Sequence, residues 1–210
     1  MNKLKTLALA TCLSFVASVA SAEVRMGVSV HAMMFDSTGS ETLRTSGNVT
    51  NTSIDETAIV PSVFIETMNS DGLGIGIDYV PVAELGSKSS SNKVDAETNG
   101  ENKASAELAS HATLYVIAQH ENGIFVKAGM AFADVETTEN LSTGDTYGDA
   151  STEGLMAGIG MSRDLDNGMF VRGELSYVDY DDISITSTGG STVKADVDST
   201  NVTFSIGKSF

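Results

Sequence analysis

The amino-acid sequence predicts an all-β fold, an eight-stranded antiparallel up-and-down transmembrane barrel, and three observations lead to it. Eight segments, each about ten to fourteen residues long, alternate apolar residues with small or polar ones, which is the period of a β-strand. Short and long connections alternate strictly between these segments. The last segment is aromatic and aliphatic on one face only. A chain of 210 residues accommodates one such domain.

The eight segments are identified by the face that carries their apolar residues. In the first, Met26, Val28 and Val30 share one face, whereas Arg25 and Ser29 share the other. Tilted strands of this length cross a bilayer, and the residues of a membrane barrel face lipid and lumen alternately. The predicted strands cover residues 24–35, 58–68, 73–83, 107–119, 124–135, 152–163, 169–178 and 197–210.

The connections fall into two classes. Residues 69–72, 120–123 and 164–168 are short, carry Asp or Asn and end in Gly, which is typical of tight turns. The other four connections are long, rich in Ser, Thr, Asn, Gly and acids, and predicted to be irregular loops: residues 36–57, 84–106, 136–151 and 179–196. This asymmetry indicates short periplasmic turns and long external loops.

The first residues have the pattern of a secretory signal peptide. Lys3 and Lys5 precede an apolar run, and Ala20, Ala22 and Glu23 form an A-x-A cleavage site. We therefore predict a cleaved signal peptide over residues 1–22 and a barrel domain over residues 23–210. The only cysteine, Cys12, leaves with the signal, so the mature chain is predicted to have no disulfide and no cysteine-based metal site.

The last strand carries a second export feature. Val202, Phe204, Ile206 and Phe210 lie on one face, with small or polar residues between them. A terminal strand of this kind resembles the signal by which the barrel-assembly machinery recognises outer-membrane proteins. Lys208 departs from that pattern, although a lysine near the membrane interface can extend its amine into water.

Together these features resemble the small outer-membrane barrel family of opacity-type surface proteins and the membrane domain of outer-membrane protein A. The resemblance covers the whole chain and lies in its architecture, without a family-specific sequence motif. It implies the cell outer membrane of a Gram-negative bacterium as the location, and outer-membrane lipid and lipopolysaccharide as partners. We expect a monomer without cofactors.

The charge of the chain excludes one class of partner. The full chain has 12 Lys and Arg against 28 Asp and Glu, and loss of Lys3 and Lys5 leaves ten basic residues and a net charge of −18. Contact with phosphate backbones requires basic patches, so nucleic-acid binding is excluded. The external loops are predicted to be acidic.

Charged residues also occur at positions predicted to face the lumen. The interior of an eight-stranded barrel is filled by side chains, and buried charges must be compensated. We predict a structural network in which Lys127 and Arg172 each pair with an inward carboxylate. The alternative is a gated pore or a proton path. The network residues are Glu66, Asp78, Lys127, Arg172 and Glu174.

Enzymatic activity is not predicted. The mature chain has three histidines, His31, His111 and His120, and none is followed by the x-Ser that envelope lipid A deacylases have after their histidine. We expect no inward Ser–His–acid grouping at one level of the barrel. The leading hypothesis is a structural or surface-interaction protein. The alternatives are a small, porin-like channel or transporter for small or hydrophobic solutes, and, third, a lipid A-modifying enzyme.

The acidic loops are candidates for binding divalent cations. Carboxylate clusters suit calcium, and loosely held ions could be shared with lipopolysaccharide phosphates. The alternative is a solvated, mutually repulsive surface. The candidate residues lie at the two bases of the last long loop: Asp179, Asp181, Asp182, Asp196 and Asp198.

Overall fold

The computed structural model describes residues 22–44, 46–92 and 100–210. Most of the predicted signal peptide, including Ala20, lies outside these residues. Within them, no helix is long and apolar enough to cross a membrane. The ten strands are β1 (Glu23–Thr42), β2 (Val49–Met68), β3 (Leu73–Val80), β4 (Ala83–Asn92), β5 (Gly100–Gln119), β6 (Ile124–Asn140), β7 (Ala150–Asp164), β8 (Met169–Tyr180), β9 (Ile183–Thr186) and β10 (Thr192–Ser209).

The strands form one closed antiparallel sheet. Its order is β1-β2-β3-β5-β6-β7-β8-β10, and β10 pairs back onto β1 from Arg25–Ser209 to Thr42–Thr192. The strand β4 continues the line of β3 beyond Pro81 and Val82 and pairs with β5, while β9 pairs with the start of β10. The wall therefore has eight positions, and the predicted up-and-down eight-stranded barrel is confirmed.

Both ends of the barrel domain and the three short connections lie at one end of the barrel, here called the turn end. The Phe210 amide donates to the Val24 carbonyl there. Gly72 and Gly123 have φ of 76° and 89°, a left-handed conformation in which glycine is favoured. The Asn69 Oδ1 accepts from the amides of Asp71 and Leu73, which fixes the first turn. The opposite end is called the loop end.

A belt of apolar side chains surrounds the outside of the barrel. On β1 it includes Met26, Val28 and Val30, and on β10 it includes Val202, Phe204 and Ile206, all of them exposed. So much exposed apolar surface is unusual for a soluble monomer, and it matches a surface that faces lipid. The predicted assembly-signal residues thus form part of this belt, with Phe210 exposed at the turn end.

The expectation of long irregular loops is wrong for much of the loop end. The strands β1 and β2 continue to Thr42 and from Val49, so their connection is far shorter than predicted. Strands β5, β6 and β10 are extended in the same way. The extensions lie beyond the apolar belt, where both faces meet water and apolar alternation fades. Their many Thr residues nevertheless suit a β-strand, and the ladders that begin in the belt continue through them.

One residue faces the opposite way from its prediction. Alternation along the predicted strand 107–119 places Leu108 outside with Leu114 and Val116, yet it is 2% exposed and lies in the core. The register of β5 against β6 shifts between Leu108 and Ser110, so a bulge at Ala109 reverses the facing of the residues before it.

Candidate functional site

A buried ion pair crosses the turn-end half of the lumen. The Arg172 guanidinium on β8 donates to both carboxylate oxygens of Glu66 on β2, at 2.6 and 3.0 Å. The Tyr115 hydroxyl on β5 donates to the same carboxylate at 2.8 Å. Arg172 is only 2% exposed, so this carboxylate–guanidinium pair is withdrawn from water. Paired and hydrogen-bonded charges of this kind are stable inside a protein only while every partner is present.

A second ion pair and four aromatic rings complete this layer. The Lys127 Nζ lies 2.6 Å from Glu174 Oε2 and 4.3 Å above the centre of the Tyr115 ring. The Arg172 guanidinium lies within 6 Å of three further rings, an arrangement that favours cations over aromatic faces: Phe64 at 5.7 Å, Phe125 at 5.0 Å and Phe170 at 5.2 Å. We call the two ion pairs and these rings the charged plug.

A glycine on β3, between Glu66 and Tyr115 on the two neighbouring strands, makes room for the plug. A Cβ at Gly76 would lie 2.6 Å from the Tyr115 ring and 2.7 Å from the Glu66 Cβ. The strand β3 therefore needs a residue without a side chain at this level, since any other would push Tyr115 from its hydrogen bond.

Asp78 contacts neither basic residue of the plug. Its carboxylate accepts from the Ser62 hydroxyl at 3.0 Å and lies 3.4 Å from the His31 Nε2. That nitrogen is also 2.7 Å from the Ser62 Oγ, and Thr203 Oγ1 is 2.8 Å from the other ring nitrogen. The expectation that no inward Ser–His–acid grouping occurs at one level is wrong, because the register places residues of β1, β2 and β3 together.

The geometry of this grouping differs from that of a catalytic relay. In a relay, the acid orients one ring nitrogen and the nucleophile uses the other. Here Asp78 and Ser62 both lie at Nε2 of His31, and Ser62 is 3% exposed. The three residues form a closed hydrogen-bonded group within the wall of the lumen.

A small cavity lies above the plug. Its volume is about 40 Å³, enough for about three water molecules. His111 donates to or accepts from the Tyr180 hydroxyl at 3.0 Å, whereas its Nδ1 and the Asn201 Oδ1 are buried without a protein partner. Buried polar atoms in a polar cavity are commonly satisfied by water, so this space suits a short water cluster.

An apolar collar closes the lumen on the loop-end side of the cavity. Its side chains are buried and pack against one another: Met33, Val60, Val80, Leu108, Met156 and Val178. A hydrated ion that crossed the barrel would have to pass this collar and then separate the ion pairs of the plug. The lumen is therefore filled rather than open.

A row of carboxylates marks the outer limit of the apolar belt. Asp55, Asp36, Asp198 and Asp179 are consecutive cross-strand partners on β2, β1, β10 and β8. Asp134 on β6 and Glu153 on β7 lie at the same boundary. We call these six residues the acidic rim. Like charges directly opposite one another destabilise a sheet, so the acidic rim lowers the stability of the strand pairs that carry it.

The pKa values of two rim carboxyls are shifted in opposite directions by their surroundings. Partial burial raises the pKa of Asp198, and the nearby charges of Asp36 and Asp196 raise it further. Hydrogen bonds from Ser151 and Ser110 lower the pKa of Asp134. The rim thus includes both a destabilised carboxylate and one that hydrogen bonds stabilise.

The five candidate metal ligands are not gathered into one site. Asp179 and Asp198 face each other across two strands, and Asp196 lies further along β10. Asp181 and Asp182 lie in the connection that follows β8. Nowhere in the described part of the chain do three or more His, Cys, Asp or Glu residues form a group that could hold a metal ion.

Comparison with known proteins identifies the family. Residues 6–210 match the family described as the outer membrane protein β-barrel domain. The chain belongs to this family of outer-membrane β-barrel proteins. The predicted resemblance to small outer-membrane barrels and the predicted outer-membrane location are therefore confirmed. No match was found among curated protein sequences.

Several solved outer-membrane protein structures are similar to this chain at low sequence identity. OprG from Pseudomonas aeruginosa is 12% identical, with a TM-score of 0.51, covering 88% of this chain and 96% of its own. Ail of Yersinia pestis, in complex with the heparin analogue sucrose octasulfate, is 10% identical, with a TM-score of 0.49 and coverage of 90% and 99%. The protease OmpT from Escherichia coli is 9% identical, with a TM-score of 0.46 and coverage of 90% and 97%.

Proposed function

We propose that this protein is a closed, non-enzymatic surface barrel that presents an acidic loop end to cationic partners. The observation that carries the proposal is the concentration of charge outside the apolar belt. Residues 36–56, 84–107, 134–153 and 179–198 carry 20 of the 28 acidic residues but only five of the 12 basic ones. The acidic rim adds in-register carboxylates, which lower the stability of the sheet. A barrel with a purely structural role would gain nothing from this arrangement, so the rim favours a binding role.

The filled lumen supports this proposal over a channel. The charged plug and the apolar collar leave a cavity of only about 40 Å³ between them. Solute passage along the axis would require both layers to move. Cationic partners, by contrast, reach the loop end from solution without any change in the barrel.

The geometry of the lumenal Ser62–His31–Asp78 group does not suit catalysis, and its burial keeps substrate away from it. Ser62 is buried below the collar, and its hydroxyl donates to the carboxylate rather than to a free histidine nitrogen. We therefore assign this group a structural role, together with the charged plug.

Binding of a basic probe tests the proposal. We would titrate a deca-lysine peptide onto the whole barrel in neutral detergent and compare two fourfold variants. The rim variant carries Asp36→Asn, Asp55→Asn, Asp179→Asn and Asp198→Asn. The control variant removes four exposed acids at the turn end: Asp71→Asn, Glu121→Gln, Asp164→Asn and Asp166→Asn.

Both variants lose the same formal charge, so only its position differs. We expect the rim variant to bind the peptide about tenfold more weakly, the control to bind as the parent does, and salt to weaken the parent's binding. Equal weakening in both variants, or no binding to the parent, would show the proposal to be wrong.

A further inference from the structure

One seam of the barrel wall lacks strand pairing. The strand β2 pairs with β1 along its whole length, from Val49 to Met68, but with β3 only from Val63 to Met68. Beyond that point β3 ends and β4 pairs with β5. Among the described residues, the second edge of β2 over residues 49–62 therefore forms no ladder, although part of β4 lies close to β2. We call residues 49–57, the part of this edge beyond the apolar belt, the open edge.

Two prolines explain where the pairing stops. Pro61 lies on β2 just beyond the last paired residue, Val63, and Pro81 follows the end of β3 at Val80. Proline has no amide hydrogen and therefore cannot donate to a ladder. The β2–β3 ladder accordingly ends close to both prolines.

The barrel covers the corresponding edge of β6. The Thr137 amide donates to Asp149, and its hydroxyl donates to the Gly148 carbonyl. The same connection between β6 and β7 reaches across to the β9–β10 hairpin, where the Thr188 amide donates to the Thr146 carbonyl. This edge is covered by the chain's own loop, whereas no loop hydrogen bond to residues 49–57 occurs within residues 22–44, 46–92 and 100–210.

We infer that the open edge binds an extended, lysine- or arginine-containing polypeptide segment as an added strand. An unpaired strand edge offers backbone donors and acceptors in the spacing that such a segment requires. The negative charge around the open edge favours a basic segment as its occupant. Asp55 and Glu56 lie on the open edge, Asp36 and Glu41 lie on the neighbouring β1, and β2 carries no Lys or Arg.

The added strand would place alternate side chains on the outside of the barrel, beside the row that begins with Asp55 and Asp36. Its basic residues would there relieve the repulsion between these two in-register carboxylates. This inference rests on the proposed function, because it specifies how a cationic partner is bound.

Cross-linking with a defined probe tests the inference. The probe is an eight-residue peptide of alternating Lys and Val with a terminal Cys, offered to the whole mature barrel in neutral detergent. Ser53→Cys places a thiol on the open edge, and Thr138→Cys places a matched exposed thiol on β6. A second probe carries N-methyl groups on alternate backbone nitrogens, which keeps its charge but removes donors from one edge.

We expect disulfide formation with Ser53→Cys to exceed that with Thr138→Cys at least tenfold, and N-methylation to weaken binding at least tenfold. Amide hydrogen exchange of residues 49–57 should slow when the unmodified probe binds, which does not depend on either cysteine variant.

Three results would overturn the inference, and they differ in what they imply. Salt-sensitive binding with equal cross-linking and no effect of N-methylation would leave the proposed function intact and remove the edge as its site. No binding of either probe would remove both. A disulfide between two Ser53→Cys barrels without any probe would show that a second copy occupies the edge.

Discussion

Arg172 links the buried carboxylate of the plug to its phenylalanine rings. It forms two hydrogen bonds with Glu66 and lies over three phenylalanine rings. The parity of the sequence was enough to place Glu66, Lys127, Arg172 and Glu174 on the inside. It could not say which carboxylate meets which base, because that depends on the register between strands that lie far apart in sequence.

Removal of Arg172 should therefore be costly. Arg172→Met leaves the Glu66 carboxylate buried and unpaired, and we expect the free energy of unfolding in detergent to fall by about 3–5 kcal/mol. The exposed Arg163→Met is the control, with an expected change within about 0.5 kcal/mol. Adding Glu66→Leu to Arg172→Met should recover much of the loss. An Arg172→Met variant as stable as the parent would contradict the role of the plug.

Gly76 offers a test of packing at the same level. Gly76→Ala introduces a Cβ against Tyr115 and the Glu66 Cβ, and we expect it to lower the free energy of unfolding by about 1–3 kcal/mol. Gly173→Ala is the matched control, since nothing lies within 4 Å of a Cβ there. Urea titration in detergent measures both. Equal stability of the two variants would mean that the space beside Tyr115 is not limiting.

At the scale of the strands, the sequence predicted the part of each element that lies in the belt and missed its extension. Alternation is visible only where one face meets lipid and the other meets the lumen. Beyond the rim both faces meet water, so β1 and β2 continue through Ser, Thr and Asp without an apolar pattern. The bulge at Ala109 and the group of His31, Ser62 and Asp78 likewise depend on pairing between strands, which no single strand encodes.

The paired strands of the rim make stability depend on pH. The folded pKa of Asp198 is raised above its unfolded value, so its ionised form is disfavoured in the folded barrel. Asp198→Asn should therefore be more stable than the parent at pH 7. The difference should shrink as the pH falls through the folded pKa and vanish below the unfolded one. Unfolding midpoints measured in detergent across this range give the comparison.

The control for this effect is Asp166→Asn, an exposed acid at the turn end that lies far from the rim. We expect it to change the midpoint little at any pH. If Asp198→Asn is less stable than the parent at pH 7, the row of carboxylates does not repel as its register indicates.

The molecule as a whole is a barrel whose lumen is filled at two levels, by the charged plug and by the apolar collar. Because the plug and the collar lie in series, we expect no steady single-channel current when the barrel is inserted into a planar lipid bilayer. A wide, known pore inserted under the same conditions shows that insertion is detectable. A steady conductance from this protein would favour the channel alternative over a surface role.

Barrel closure also determines how the chain reaches this state. The closing ladder joins β1 to β10, so Arg25 lies opposite Ser209. Contacts between residues this far apart in sequence are slow to form, because a long stretch of chain loses conformational entropy before the new contact contributes favourable free energy. Before this step the outer edges of β1 and β10 are both unpaired, and a single pairing event closes these two edges. We therefore expect the meeting of the first and last strands to be a slow step in the folding of this protein.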